Sequence, residues 1–469
     1  MKIITYLFTL TFILILLNSC IKEEFNNDAG ASITFSTDTI FFDTVFTNVG
    51  STTAYLTIHN PYDDFLKINS IGLGKGSSSQ FRLNVNGQST NLARDLELAP
   101  KDSLYVLVEV TVNPNSENAP FVVVDSLVCN INGKSQDVKL RAWGQNAHYI
   151  DGRYNGHIQT STWTAEKPYL IYNSMQIDSL QTLTMEAGTK VYLHKGSYII
   201  AKGQLDIQGT FNDPVVIQGD RLEESYQDIP GQWGNIILAD GSGVHKVKWA
   251  EIRNGVIGFQ IGSQSAPQKP ALILENSKIE NMDYAGLFAL TASIQAKNCL
   301  VSNCGFYSMA ILAGGAYQFQ HCTFANYWRH GQRTEPSVVL SNNFTNANQQ
   351  LIQYDLIQAD FSNCIIYGEK DNELLLSNDE AVPFNYHFEN CLLKLENDLD
   401  ILTENYTDVI VNEDPIFVDT RENNFQLDSL SPAINTGKLS IGESAEFDLN
   451  NWSHIIDLLP DLGAYERQE

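Results

Sequence analysis

The chain has 469 residues, 43% of them hydrophobic, which is enough apolar material for two or more cores. Against 55 acidic residues stand 29 basic ones, a net charge of −26, and no basic cluster interrupts it. Nucleic-acid binding needs concentrated positive charge and is excluded; the acidity reads as a solvated exterior, and no EF-hand or nonapeptide calcium repeat accompanies it.

At the N-terminus, Lys2 precedes the largely apolar run Ile3 to Leu17, followed by Asn18-Ser19-Cys20. The run is shorter than the roughly 18 residues a spanning helix needs, so residues 1–19 read as a secretion signal. The small residue directly before Cys20, after Leu17-Asn18, resembles a bacterial lipobox. That resemblance implies cleavage before Cys20 and lipidation of its thiol, making the membrane a partner through an N-terminal lipid. The alternative is a plain signal peptide with an incidental cysteine. Residues 20–30 form a tether. Its Lys22-Glu23-Glu24 and Asp28 resemble the surface-export signal of some Gram-negative lipoproteins, which implies an outer-membrane location facing the exterior.

Residues 31–147 carry short alternating segments: Thr39-Ile-Phe41-Phe42, Ala54-Tyr-Leu56-Thr-Ile58, Phe81-Arg-Leu83, Leu104-Tyr-Val106-Leu-Val108 and Val138-Lys-Leu140 among them. Turn residues separate them at about ten-residue spacing, which predicts a β-sandwich. Asn48-Val-Gly50, Leu56-Thr-Ile-His-Asn60, Leu98-Ala-Pro100 and Leu140-Arg-Ala-Trp-Gly144 resemble the abnormal-spindle/hydin type of immunoglobulin-like domain, which implies a spacer or protein-binding module. Cys129 is the sole cysteine there, so no intersheet disulfide is expected.

From residue 148 to about 410 the texture changes. Gly188, Gly203 and Gly209 punctuate apolar runs, and residues 221–230 read as a charged loop. A six-residue pattern then recurs, beginning at Trp249, Asn276, Asn298, His321, Ser341, Asn363 and Asn390, with spacings of 27, 22, 23, 20, 22 and 27. Its second and fourth positions are small or apolar, for example Ala250 and Ile252, Ser277 and Ile279, Cys299 and Val301; only Asn342 breaks the set. Period two within a period of 20 to 27 predicts one strand per repeat of a solenoid, buried by stacking on its neighbours. The sixth position is asparagine at Asn254, Asn281, Asn303, Asn326 and Asn346, a residue that tolerates left-handed backbone and can stack amide on amide. Such a ladder resembles the right-handed parallel β-helix family that includes pectate-lyase-like proteins. The expected fold is therefore all-β: an N-terminal immunoglobulin-like sandwich followed by a right-handed parallel β-helix with a C-terminal cap. Cys299, Cys322, Cys364 and Cys391 fall in one inward column and read as small buried hydrophobes, over a disulfide or a metal site, because no CxxC or His spacing accompanies them.

The last segment, 411–469, contains Asp414-Pro415-Ile-Phe417, Asn424-Phe425-Gln-Leu427, Ser431-Pro432-Ala433-Ile434-Asn435 and Asp461-Leu462-Gly463-Ala464-Tyr465-Glu466. These resemble the terminal block of secreted bacterial β-helix proteins of the choice-of-anchor Q type. The resemblance implies a cap closing the open end of the helix. This chain departs from that pattern at Asn435, where aspartate is usual.

Chemistry is harder to read. Polygalacturonase-like β-helices carry Asn-Thr-Asp, Asp-Asp, His-Gly and Arg-Ile-Lys sets; here the Asp-Asp pair is Asp63-Asp64, outside the solenoid, and His330-Gly331 stands without partners. No Walker loop, dinucleotide fingerprint, GxSxG or HExxH occurs, so no cofactor and no metal site is expected. The densest functional cluster is Trp328, Arg329, His330, Arg333 and Glu335, which combines an aromatic, cations and a carboxylate suited to an acidic sugar; the bland alternative is a solvated loop whose Trp packs against the wall. Tyr317, Tyr327 and Tyr354 are further stacking candidates. Several Asp-Ser/Thr-apolar tripeptides, such as Asp178-Ser179-Leu180, resemble a Gram-negative O-glycosylation sequon. The leading expectation is a lipid-anchored, non-catalytic surface scaffold binding polysaccharide or a surface protein. Its rivals are a polysaccharide lyase or glycoside hydrolase on the same scaffold, and a ligand-free stalk.

Overall fold

A computed structural model describes residues 24–263, 270–346, 348–396, 404–445, 447–456 and 459–468. The signal run and Cys20 lie outside the described residues. The chain divides into two compact units, one ending at Asn146 and the other starting at Ala147. Among the described residues no helix is long and apolar enough to cross a membrane.

The first unit is a β-sandwich of two five-stranded sheets. One sheet runs in the order Thr34–Phe35, Ala54–His59, Ser103–Val110, Phe81–Val85, Gln88–Ser89; the other runs Thr39–Phe46, Lys134–Gln145, Phe121–Ile131, Leu66–Leu73, Leu92–Leu98. Alternation explains the packing. In Ser103–Val110, Leu104, Val106, Val108 and Val110 are buried, while Tyr105, Leu107 and Glu109 face out. The two inner faces meet in one core that joins Leu56, Leu83 and Val106 to Phe42, Ile68 and Leu140. The strands of these sheets pair antiparallel except Thr39–Phe46 and Lys134–Gln145, which run parallel, and an isolated parallel bridge joins Phe25 to Phe65.

The second unit is a right-handed parallel β-helix. An 11-stranded sheet and a 17-stranded sheet, parallel throughout, wrap one continuous core. The larger sheet bends along its length. Ala285–Lys297 pairs with both Gly255–Ile261 and Ala271–Glu275, so a single strand turns a corner and serves two faces. The bend is marked by left-handed Thr291 at φ 51°. Each coil thus has three faces, and its core-facing residues stack on their equivalents one coil away. Phe319, Phe361, Phe388 and Tyr406 form one such column, with centroids 4.8, 4.8 and 5.5 Å apart.

The six-residue pattern maps onto the 11-stranded sheet, and its two ends are both corners. Asn254, Asn281 and Asn303 adopt φ of 65°, 56° and 52°, and so do the first positions Trp249, Asn276, Asn298, His321, Asn363 and Asn390, at 48–53°. Left-handed residues at both ends turn the chain sharply into and out of a short strand. Two expectations need correction. The unit 341–346 is not a coil strand: Asn343–Thr345 pairs antiparallel with Leu351–Gln353 in a hairpin that leaves the solenoid, and Thr323–Asn326 stacks directly on Ile365–Gly368. Asn346 therefore belongs to no ladder, and Asn342, fully buried, instead ties down the backbone of Asp379 and Val382. Nor do the corner asparagines bond amide to amide. Asn254 Nδ2 donates to Gln227 O at 2.7 Å, Asn281 to Asp228 at 3.3 Å, Asn303 to Asn423 at 2.6 Å, and Asn326, inside its strand, to Cys304 O at 2.9 Å. They pin outlying segments to the coil.

The four cysteines of the column are buried and unpaired, each thiol donating to a backbone carbonyl two residues back. Burial pushes the thiols of Cys299 and Cys364 up from their ordinary value.

The C-terminal segment holds the largest departure. The expected end cap is instead a plate laid along the outer wall of the 11-stranded sheet. Leu300 and Ala325 pack with Phe425, Leu449, Ala464 and Tyr465; Ile365, Tyr367 and Leu392 pack with Leu427, Ala433 and Leu462. The physical reason lies in the wall. Its outward positions from Leu300 onward are mostly apolar and need cover. The first-position corner residues fasten the plate. Asn298 Nδ2 donates to the carbonyls of Ala445 and Phe447, Asn363 exchanges two hydrogen bonds with the Lys438 backbone, and Asn390 donates to Thr436 O.

Candidate functional site: an aromatic corner beside a polar cavity

The predicted cluster 328–335 sits where the chain leaves the 11-stranded sheet, and the structure divides it. Trp328 is 8% exposed; its indole lies over the backbone of Gly305, with His330 edge-on at 5.2 Å. Arg333 is buried too. Its guanidinium pairs with both carboxylate oxygens of fully buried Glu373 and donates to the carbonyls of Asn326 and Glu335. Glu373 also accepts from the amides of Ser337 and Lys370. Gly368 is obligatory beside it, since a Cβ there would lie 2.3 Å from Glu373 Oε1. As ligand contacts, Trp328 and Arg333 are thus corrected: a paired charge and an indole hold the loop in place. Arg329 and His330 remain exposed, and Arg329 reaches Asn423 at 3.3 Å. Among the stacking candidates, Tyr317 is buried and bonded to Gly314 O, Tyr327 packs under Phe417 and Phe425, and Tyr354 is 39% exposed.

Glu335 leads to what the sequence reading missed. It stands beside Tyr307 and Tyr284; burial raises both phenols, Tyr307 to about 12, and the Glu335 charge adds to the effect. These two rings join Phe288 and Phe306 in an aromatic patch with centroid separations of 4.9–6.3 Å. Phe306 is 41% exposed and the others are half-buried. The local fold places them. Gly286 lies between Tyr284 and Phe288 at a point where a Cβ would meet Val301 Cγ1 at 2.2 Å, and its neighbours Ala285 and Leu287 are buried in the core. The signal was available: Tyr284 and Phe306 each follow a corner asparagine, Asn281 and Asn303, by three residues.

Around the same corner lies a cavity of about 310 Å³. Its floor is the charged start of the 11-stranded wall, Glu251 and Arg253 on one coil and Lys278 and Glu280 on the next. Its walls are Gln227 and Asp228 of the excursion loop and Arg421, Glu422 and Asn423 of the plate, with Tyr465 behind. Strand register sets Glu251 opposite Lys278 and Arg253 opposite Glu280. Arg253 Nη2 and Lys278 Nζ approach Glu251 at 3.5 and 3.8 Å, and Ser302 Oγ donates to Glu280 at 3.4 Å. Burial pushes the Glu280 carboxyl up, opposed by Lys278 and Arg253.

One further cluster bears on metals. Ligand atoms of His321, His454 and Glu466, all buried, lie within 4.8 Å of one another. The imidazoles stack at 3.8 Å and 30°, so their in-plane lone pairs run side by side instead of converging. His454 is engaged at both ring nitrogens, with Glu466 at 2.6 Å and Asn298 at 2.8 Å, and His321 at Nε2 with Asn363 at 2.9 Å. The arrangement is a latch between wall and plate.

Comparison with known proteins adds the following. Residues 235–393, roughly a third of the chain, match a family model described as a right handed beta helix region. No curated protein matches the chain. Among solved structures, a family 123 glycoside hydrolase from Clostridium perfringens, known for glycolipid glycan hydrolysis, is similar at 8% identity and TM-score 0.17, over 24% of this chain. The match spans about a quarter of that enzyme, 26%. An ASH/PapD-like domain of human CEP192 is similar at 10% identity and TM-score 0.17, over 28% of this chain and 94% of that one. At such scores neither likeness informs the reading of the site. The family match falls on the solenoid: the coils from Asn235 to Leu393 are those of a right-handed β-helix.

Proposed function

We propose that this chain is a lipid-anchored cell-surface protein whose solenoid binds glycan without cleaving it. The observation that carries the reading is the aromatic patch of Tyr284, Phe288, Phe306 and Tyr307. Half-exposed rings clustered on a rigid wall are available for a ligand, and an apolar patch with a polar edge marks an interaction surface. Sugar rings offer faces of C–H bonds to aromatic rings and hydroxyls to the edge. Glu335 supplies that edge, and the parallel coils hold the rings rigid, which lowers the cost of ordering on binding. The anchor follows from the lipobox-like Leu17-Asn18-Ser19-Cys20, and the outward orientation from the acidic tether.

A polysaccharide lyase or hydrolase remains the second reading. It is favoured by one feature: Glu251 and Glu280 share a cavity in which burial raises one carboxyl while Arg253 and Lys278 attend the other. One experiment separates the two. The soluble chain beginning after Cys20 is run in affinity electrophoresis through a panel of acidic and neutral polysaccharides, and the same mixtures are assayed for new chain ends. Retention by at least one polymer, weakened about tenfold or more in Tyr284→Ala/Phe306→Ala, with no new ends, is the expected result. New ends that vanish in Glu280→Gln would replace the scaffold with an enzyme; absence of retention by every polymer would remove the glycan reading.

A further inference from the structure

We propose that the polar cavity is a second binding site, for a single neutral sugar residue or a similar polyol. The inference deepens the glycan reading but rests on different residues. The cavity is built from three parts of the fold, the loop at Gln227–Asp228, two successive coils, and the plate at Arg421–Asn423 and Tyr465, which enclose it without filling it. Its volume of about 310 Å³ is at the lower end of the ~300–1,000 Å³ range of small-molecule sites.

Charge decides what it can hold. The floor is a checkerboard, Glu251 and Glu280 against Arg253 and Lys278, neutral in sum, and the walls add Asp228 and Glu422 against Arg421. No sign dominates enough to select a phosphate or a divalent cation. Apart from the Tyr465 ring the named lining is polar, so an apolar ligand finds no surface. Alternating planar donors and acceptors suit vicinal hydroxyls, each of which donates and accepts. The floor also has capacity to spare. Arg253 Nε is buried without a partner. Tyr465 is 7% exposed and lines the cavity, and among the described residues its hydroxyl has no hydrogen-bond partner. Burial raises the Tyr465 phenol, and the neighbouring Glu280 carboxylate adds to the effect, so it stays a neutral donor beside an acceptor. Arg421 and Lys278 complete the donors; Asn281 and Asn423 present amides.

The test is isothermal titration of the full soluble chain with glucose, galactose, mannose and N-acetylglucosamine, and with glucuronate and glucosamine as charged counterparts. At least one neutral sugar is expected to bind, with the charged counterparts about tenfold weaker or more. Tyr465→Phe, which keeps the ring and its packing, should weaken that binding about tenfold. Tyr284→Ala/Phe306→Ala should leave it unchanged while losing polymer retention. No binding of any neutral sugar, preferential binding of a charged one, or indifference to both Tyr465→Phe and Glu280→Gln would overturn the proposal. Polymer retention surviving such a result would leave the aromatic reading standing, so the two fail separately.

Discussion

The outer face of the 11-stranded sheet differs from one end to the other. At Ala250–Arg253 and Lys278–Glu280 the outward side chains are charged, half-exposed and paired with one another. From Leu300 to Leu392 the outward positions include Leu300, Thr323, Ala325, Ile365, Tyr367 and Leu392, all buried beneath the plate. The backbone is the same in both halves, and the inward column continues from Ala250 and Ile252 to Cys391 and Leu393. What changes is one side chain in two. A sheet covered on both faces loses polar alternation, and a sheet open on one face keeps it. The plate follows the apolar half and stops where charge begins, and the cavity is the space left at that boundary.

The comparison can be broken at its buried half with the largest effects. Arg333→Met leaves Glu373 as an unpaired buried charge and should cost about 3–5 kcal/mol in denaturant unfolding, with much of it recovered when Glu373→Leu is added. Phe425→Ala, which opens a hole between plate and wall, should cost a similar ~3–5 kcal/mol, and amide exchange should rise in the plate before the coils. Asn298→Ala removes two donors to the plate and the contact with His454; a loss of about 1–3 kcal/mol is expected.

Acid should sharpen the same boundary. Burial pushes His454 down to about 3 and His321 well below its usual value, outweighing the Glu466 carboxylate beside His454. The native rings therefore take up protons less readily than the unfolded chain. Their contribution is complete above about pH 6.5, the unfolded value, and is lost progressively as pH falls from there toward 3. Melting curves of the chain and of His454→Gln between pH 4 and 8 check this: the variant should show a shallower acid slope. At the open half, Glu251→Gln should shift stability by less than ~1 kcal/mol, since its partners are about a third exposed. A larger loss there would mean that the floor is structural.

The sequence showed clearly what repeats. Period two inside a 20–27-residue period placed the inward column from Ala250 to Leu393, and the corner asparagines were visible as a register. It misled where an excursion imitated the repeat. The unit at Ser341 had the right spacing, yet Asn342 in an apolar position was the sign that it packs elsewhere. The plate was recognised as a block but not located, because nothing in Phe417, Phe425 or Leu462 says which apolar surface they will cover; the outward Leu300, Ile365 and Leu392 held that information. In the candidate site, composition drew attention to Trp328 and Arg333, whose burial depends on Gly305 and Glu373, distant in sequence. The aromatic patch was overlooked because Tyr284 and Phe306 are 22 residues apart and become neighbours only when coils stack.

The most direct test is hydrogen–deuterium exchange of the full soluble chain with and without a polysaccharide that retains it. Protection at residues 281–288 and 303–310, with a smaller change at 421–423 and none in 31–146, is the predicted result. Protection confined to 31–146, or absent from the corner while the polymer is bound, would contradict the account.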